Sequence, residues 1–479
     1  MDRGITSFGA YVPSLRLERN AIAAAHAWSF PSLQGQAKGQ RAVASWDEDT
    51  VTMSVEAARG VALDGVSALS FASTTPPFAD LQNATLIASA LGLPATLATA
   101  DFAGSLRAGT SALLNALQSN AAGNTLVVAA DARHAKPGSL QEMQYGAAAV
   151  AIGVGTGNVI ARLVATASRA DAFIDHFRAT GEKYDYFWEE RWVRDEGYGK
   201  LVPAAVEAAL AQAQLSPEAI RHFCLPTPLS GVAATIAKKV GIAAEAVVDS
   251  LAARCGDTGA AHGLLMLAAA LERAEPSDKI LAVSFGAGCD VMVFEATAAI
   301  TAYRPRLSVA AALSGGRTEA HYTKLLSFHD ELHLDWGMRA EGGEKIPLTQ
   351  QYRARDQLAH FVAGECPSCG AVQFPQLASC VNCGGFEPLK PRPLADEIGR
   401  VTSHTADWLQ YYPAPPLVFG LVQFDNGARV MMEIVDVDPA QPIDVGTPLR
   451  MVYRVKSRDN ERHNHRYFWK ATPMATQGA

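Results

Sequence analysis

The sequence predicts an α/β protein whose larger, N-terminal part is duplicated and whose C-terminal part is a small metal-binding and all-β appendage. Three observations carry that expectation. Ala-rich stretches alternate with Val/Leu/Ile runs up to residue 300, the rhythm of helices laid on strands. Within that span one series of elements occurs twice. Beyond it, two Cys-x2-Cys pairs precede five short β-branched runs.

Composition sets the class. The 479 residues are 49% hydrophobic and 19% charged, ordinary for a water-soluble globular chain with room for large cores. That length carries a prior of roughly two to four domains. The net charge of −7 argues against nucleic acid as a partner, which would call for a basic excess. No apolar run reaches the ~18 residues of a membrane span, so no membrane partner is expected. "MDRGITSFGAYVP" reads as a first strand and lacks a basic-then-apolar leader, so the expected location is cytoplasmic.

The duplication begins with "VSALSFASTTPPF" (66–78), a strand ending in Thr and Pro, then "ATLIASALGL" (84–93), a helix closed by Gly. "IRHFCLPTP" (220–228) and "ATIAKKVGI" (234–242) repeat that order. Next, "SLRAGTSALLNALQSNAAGN" and "TLVVAADA" are matched by "TGAAHGLLMLAAALERAEPSDK" and "ILAVSFGAG". Two βαβαβ-like halves follow, residues 1–163 and 164–300, with helices packed closely between parallel sheets. Small residues would let the helix backbones approach. The plainer alternative is the self-similarity common to Ala-rich α/β chains. At 101–117, "DFAGSLRAGTSALLNAL" looks like a strand breaking into a helix start, the shape of a nucleophile elbow.

These segments, with "GITSFGAYVP", "RAGTSAL", "GDTGAAHGLLMLAAAL" and "ILAVSFGAG" in this order, resemble the thiolase superfamily. Within it they are similar to the 3-hydroxy-3-methylglutaryl-CoA synthase and ketoacyl-ACP synthase III branches. The resemblance covers roughly residues 1–300. It implies a duplicated αβαβα core, a homodimer formed through that core, and a coenzyme A thioester as substrate. It also implies a cysteine three residues before the elbow glycine, and here that position is Leu106. Leucine has no nucleophilic atom, so acylation there is impossible. The family's base His, in Phe-His-x-Pro, becomes Cys224 in "FCLP"; its Asn, in Gly-Asn-Thr, becomes Asp257; the synthase Glu becomes Thr74.

The remaining candidates each have two readings. Cys224, expected at a strand end facing the pocket, is either a relocated nucleophile or inert core. Asp257 is either a general base, alone or polarising His262 five residues on, or a helix cap. Ser105 is read as an N-cap hydroxyl and Cys255 as structural. Gly286 in "SFGAG" resembles the family glycine whose backbone N–H binds a developing oxyanion. "GVGTG" (153–157) is not a dinucleotide loop, since a strand-like run follows it. The aromatic, charged stretch 171–203 is either a pocket wall or an amphipathic helix pair packed on the core.

Residues 301–362 read as a connector. "CPSCGAVQFPQLASCVNCG" then supplies Cys366, Cys369, Cys380 and Cys383 at the spacing of a zinc ribbon (363–390). Four thiolates favour structural Zn2+, with iron as the minority option, and close its coordination against chemistry. "GRVTSHTA", "PLVFGLVQF", "GARVMMEIV", "TPLRMVYRV" and "RYFWKATP", with "DNG" at a turn, predict a five-stranded OB-type barrel over 391–479. Ribbon, barrel and closing "YFWKA" resemble the acyl-CoA-associated zinc-ribbon/OB family, which implies a further possible partner, a thiolase. The function expected is an enzyme making or breaking a carbon–carbon bond next to a thioester, by a non-covalent Claisen-type or retro-aldol step. The alternative is a non-catalytic acyl-CoA-binding scaffold for a partner thiolase.

Overall fold

The apolar runs of the first 300 residues become one nine-stranded mixed sheet in the structure, a computed structural model that describes residues 3–120, 123–340, 343 and 345–474. The chain divides into two units: Met1–Ser45, Asp49–Thr85 and Leu93–Glu331 form the first, and Trp46–Glu48, Leu86–Gly92 and Leu332–Ala479 the second.

In the first unit the strands lie in the order Ile220–Cys224, Lys279–Phe285, Gly288–Ala296, Ala161–Ala170, Gly4–Tyr11, Ala147–Gly155, Asn124–Ala132, Val66–Ala72 and Ala98–Phe102. The duplication is visible at both ends. Val66–Ala72 runs parallel to its two neighbours, and Ile220–Cys224 runs parallel to Lys279–Phe285. The second copy replaces its outermost strand with a single parallel bridge from Phe223 to Val247. Within the sheet, the two copies meet at Gly4–Arg162 and Ile5–Ala161.

The expectation of parallel sheets needs correction at the centre, where Gly4–Tyr11, Ala147–Gly155, Ala161–Ala170 and Gly288–Ala296 pair antiparallel with their neighbours. For one of these pairs the reason is chain length. Only Gly286 and Ala287 separate Phe285 from Gly288, far short of the dozen residues a parallel crossover needs.

Two buried helices, Ala108–Gln118 and His262–Leu271, belong to the same apolar core, with Ala108, Ala112 and Ala116 alongside Leu264, Leu265 and Ala268. The small residues do permit close approach: a Cβ on Gly109 would lie 2.3 Å from the carbonyl oxygen of Ala260. Gly109→Ala is therefore expected to destabilise the unit by about 1–3 kcal/mol, read as a drop of several degrees in thermal denaturation.

The stretch 171–203 is not a helix pair. It makes a short hairpin, His176–Phe177 with Tyr186–Phe187, then a helix from Glu190 that widens over Val193–Leu201 before continuing as Val202–Ala213. Tyr198 packs on Phe285 at 4.3 Å between ring centres and seats this segment on the sheet.

In the second unit, Val362–Glu365 lies antiparallel between Val372–Gln373 and Lys390–Pro393. The five β-branched runs form one sheet in the order Arg429–Glu433, Leu417–Phe424, Gly399–Asp407, Pro448–Asp459, Asn464–Pro473. "DNG" makes the expected turn, with Gly427 at φ +93°. A bridge from Ile434 to Ala471 brings the last strand against the first and closes the barrel. Val422, Phe424, Leu449, Met451 and Trp469 fill it. Among the described residues no helix is long and apolar enough to cross a membrane.

Candidate functional site

A cavity opens where the elbow meets the hairpin of 171–203, enclosing roughly 90 Å3, room for several water molecules or a short acyl group. Its walls include Leu106, Leu140, Phe187, Trp188, Val193, Tyr198 and Leu229 as apolar surface, and Arg133, Asp175, His176, Glu190 and Asp257 as ionisable groups. The strand Ala98–Phe102 does break into a turn and then the helix at Ala108, so the elbow exists and Leu106 faces the cavity.

The elbow turn is fixed by polar contacts. Ser105 Oγ accepts from Arg107 N at 3.2 Å and donates to the Gly286 carbonyl at 3.0 Å. It serves the backbone as expected, though the helix cap position itself is Arg107. Arg107 donates to the same carbonyl and to Asp290. The Gly286 N–H, proposed from sequence for an oxyanion, donates to Gly288 O at 2.9 Å. Gly286 lies outside the cavity lining.

The other sequence candidates separate sharply. The Cys224 thiol is fully buried, sits 3.6 Å from the Met266 carbonyl, and does not line the cavity. Burial pushes its pKa up to about 12, so it is a neutral thiol. Cys255 is buried and shifted likewise. His262 is held on both sides: Nδ1 accepts from Thr258 N at 3.0 Å, and Nε2 donates to Ser250 O at 2.7 Å. Asp257 Oδ1 is 4.0 Å from His262 Nδ1, so the two do not form a close pair. Asp257 does line the cavity, and its Oδ1 also accepts from Gly259 N two residues on. The cap positions that follow are Thr258 and Ala261, so Asp257 is not the helix cap weighed from sequence.

What the structure sets beside Asp257 is a charge network with no single local signature. Arg133, 3% exposed at its side chain, lies 2.8 Å from Asp185 Oδ2 and 3.5 Å from Asp257 Oδ2. It donates to Tyr145 Oη at 2.6 Å, and that hydroxyl donates to Asp185 Oδ2 at 2.8 Å. Burial opposes the charge on Arg133, but Tyr145, Asp257, Asp185 and Asp131 outweigh it and hold the guanidinium protonated. Burial likewise acts to raise the Asp185 pKa, and Arg133 with the Tyr145 hydrogen bond reverses it, so the net shift is downward.

Asp131 is a second, fully buried carboxylate. It accepts from the backbone and hydroxyls of Thr74 and Thr75, from Ser73 Oγ, and from Ala260 N at 2.7 Å. It ties the end of one sheet half to the start of the central helix. Thr74, at the family acid position, thus serves Asp131. Asp131 and Arg133 could have been noticed as charges ending the apolar run "TLVVAADA". Finally, Asp175 and His176 stand on the hairpin, His176 Nδ1 2.8 Å from Asp175 Oδ2, with the imidazole stacked on Phe187. Their signal was hidden in a stretch read only as aromatic and charged.

In the second unit, Cys366, Cys369, Cys380 and Cys383 have their sulfurs within 4.8 Å of one another. The Sγ–Sγ distances of 3.8 Å for Cys366–Cys383 and 3.6 Å for Cys369–Cys380 fit a tetrahedral zinc, whose 2.3 Å bonds place sulfurs about 3.8 Å apart. Each Cys-x2-Cys turn closes with a glycine N–H donating to its first cysteine carbonyl, Gly370 to Cys366 and Gly384 to Cys380. Both glycines have positive φ.

Three family descriptions match stretches of this chain. They are the 3-oxoacyl-[acyl-carrier-protein] synthase III C-terminal region over residues 210–294, the ChsH2 rubredoxin-like zinc ribbon domain over 358–388, and the ChsH2 C-terminal OB-fold domain over 393–454. The hydroxymethylglutaryl-CoA synthase of Methanopyrus kandleri is 30% identical over 316 residues, 63% of this chain and 90% of that protein. That of Aeropyrum pernix is 31% identical, over 63% and 87%. Among solved structures, an HMG-CoA synthase complexed with CoA is similar with a TM-score of 0.60 at 16% identity, covering 72% of this chain and 92% of that one. The HMG synthase of the curacin biosynthetic pathway gives 0.59 at 19%, covering 75% and 96%. At such identities these two establish the fold.

Proposed function

This chain belongs to the hydroxymethylglutaryl-CoA synthase family, and on that premise we propose that it makes or breaks a carbon–carbon bond next to the thioester of an acyl-CoA without forming an acyl-enzyme. The observation that carries the reading is Leu106 at the mouth of the elbow, in a cavity that still holds ionisable groups and lacks a thiol. Chemistry on an enolate or alkoxide needs a base and a fixed positive charge, and it needs no nucleophile from the protein. The cavity wall carries groups able to take a proton, and Arg133 among them places a permanent cation where oxygen charge develops. Phe187 and the buried Tyr198 give the wall around them an apolar surface. The four cysteines of the ribbon would hold Zn2+ with a closed coordination sphere, which supplies rigidity to that module.

A second reading is favoured by one fact: Leu106, Thr74, Cys224 and Asp257 stand at all four positions where the family's catalytic side chains are expected. In that reading the chain binds acyl-CoA as a scaffold for a partner thiolase. Incubation with a panel of short acyl-CoA and 3-hydroxyacyl-CoA thioesters, followed by product analysis and intact-mass measurement, separates them. Turnover with no mass adduct on the protein is the expected result. Binding without turnover gives the scaffold, and an adduct on any cysteine overturns the non-covalent mechanism.

A further inference from the structure

We infer that His176, oriented by Asp175, is the general base that removes the proton α to the thioester carbonyl. This rests on the acyl-CoA reading above and assigns a residue that neither the elbow nor the duplicated motifs point to.

The argument is one of elimination among the groups that face the cavity. Asp257 accepts from Gly259 N and pairs with Arg133. Glu190, at the rim, is about half exposed and pairs with Arg194 one helical turn on. Arg133 has no lone pair to offer. Asp175 is engaged by the imidazole Nδ1 at 2.8 Å. That leaves His176. Its Nδ1–H donates to the Asp175 carboxylate, so Nε2 carries the lone pair, and among the described residues Nε2 has no hydrogen-bond partner.

The dyad is also rigidly placed. Phe187 pairs with His176 across the hairpin and stacks on its ring at 5.2 Å. Trp188 N donates to the Asp175 carbonyl at 3.0 Å. One residue before the second strand of the hairpin, Asp185 anchors it to Arg133 and Tyr145. Both side chains of the dyad are mostly buried, 13% exposed for His176 and 12% for Asp175, so the base is screened from bulk water yet open to the cavity.

The step balances within these groups. The Nε2 lone pair takes the α-proton, the C–H electron pair becomes the carbon–carbon double bond of the enolate, and the carbonyl π pair moves onto oxygen. The imidazolium that results is stabilised by the Asp175 carboxylate at Nδ1. With no acceptor carbonyl present, the proton returns to carbon from Nε2–H. In D2O the proton on Nε2 exchanges with solvent deuterium while the enolate is bound, and a return after that exchange delivers deuterium to carbon.

Deuterium uptake by acetyl-CoA in D2O, followed by mass spectrometry alongside calorimetric binding of acetyl-CoA, tests this directly. The wild-type protein is expected to catalyse exchange. His176→Gln is expected to slow it by about 100-fold or more while binding is kept. Asp175→Asn, which removes the acceptor that fixes the tautomer, is expected to fall to a similar extent. Exchange at wild-type rate in His176→Gln, or wild-type binding without exchange, overturns the base assignment and leaves the acyl-CoA reading standing. Absence of acetyl-CoA binding by the wild-type protein overturns that reading and this inference together.

Discussion

Arg133→Met is expected to destabilise the first unit by about 3–5 kcal/mol near neutral pH, because it leaves buried carboxylates without their countercharge. Methionine keeps much of the volume and removes the charge, so the loss reports electrostatics more than packing. Asp185, 8% exposed at its side chain, is held ionised by Arg133 and Tyr145 against the pull of burial. A carboxyl whose folded pKa is depressed contributes its stability in full above its unfolded pKa, and loses it as pH falls through the lower, folded value. In Arg133→Met the balance reverses: burial dominates and the folded pKa rises above the unfolded one. Acid then favours the variant's folded state. The stability gap between wild type and variant is therefore expected to be widest near pH 7 and to narrow toward about pH 4.5. Urea denaturation at the two pH values reads this, and an equal gap at both would show that the network acts through shape alone.

Cys380→Ala is expected to have the other large effect. Structural zinc in small modules contributes about 10–16 kcal/mol to folding near neutral pH. The ribbon has little else, with three short strands and two glycine-closed turns around the sulfur cluster. Elemental analysis of the purified wild-type chain is expected to give one zinc per chain. The variant is expected to retain little, and to become sensitive to limited proteolysis within residues 362–393. A strong chelator should reproduce that sensitivity in the wild type. A full complement of zinc in the variant would mean that the metal sits elsewhere.

The cysteine spacing made the ribbon legible, because a metal site of this kind is written locally in the chain. The five barrel strands were legible for a similar reason: short β-branched runs between turn residues such as Asp425, Asn426 and Gly427. The duplication, too, was readable as a repeated order of elements. The antiparallel centre of the sheet was not, since periodicity shows that a segment is a strand and says nothing of its neighbour. Cys224 shows the limit for the site. It was expected at a strand end facing the pocket, but Phe223, Cys224 and Leu225 are all buried. A strand covered on both faces carries no alternation from which to read direction. Arg133, Tyr145, Asp185 and Asp257 come from four separate segments, and only folding brings them together. His176 was within reach of inspection, in "FIDHF", yet nothing local distinguishes an imidazole in a cavity from one on a surface.

A leucine at the elbow also changes how the protein meets peroxide and alkylating agents. A thiolate poised to attack thioesters is the group such reagents find first. Here Cys224, Cys255 and Cys289 are buried, with thiol pKa values pushed up to about 12, 12 and 11. The exposed cysteines are Cys369 and Cys383, in the ribbon. Electrophilic stress that would silence a cysteine-dependent synthase at its reacting centre falls instead on the metal module, so damage in this chain begins with architecture and leaves the cavity's own groups intact.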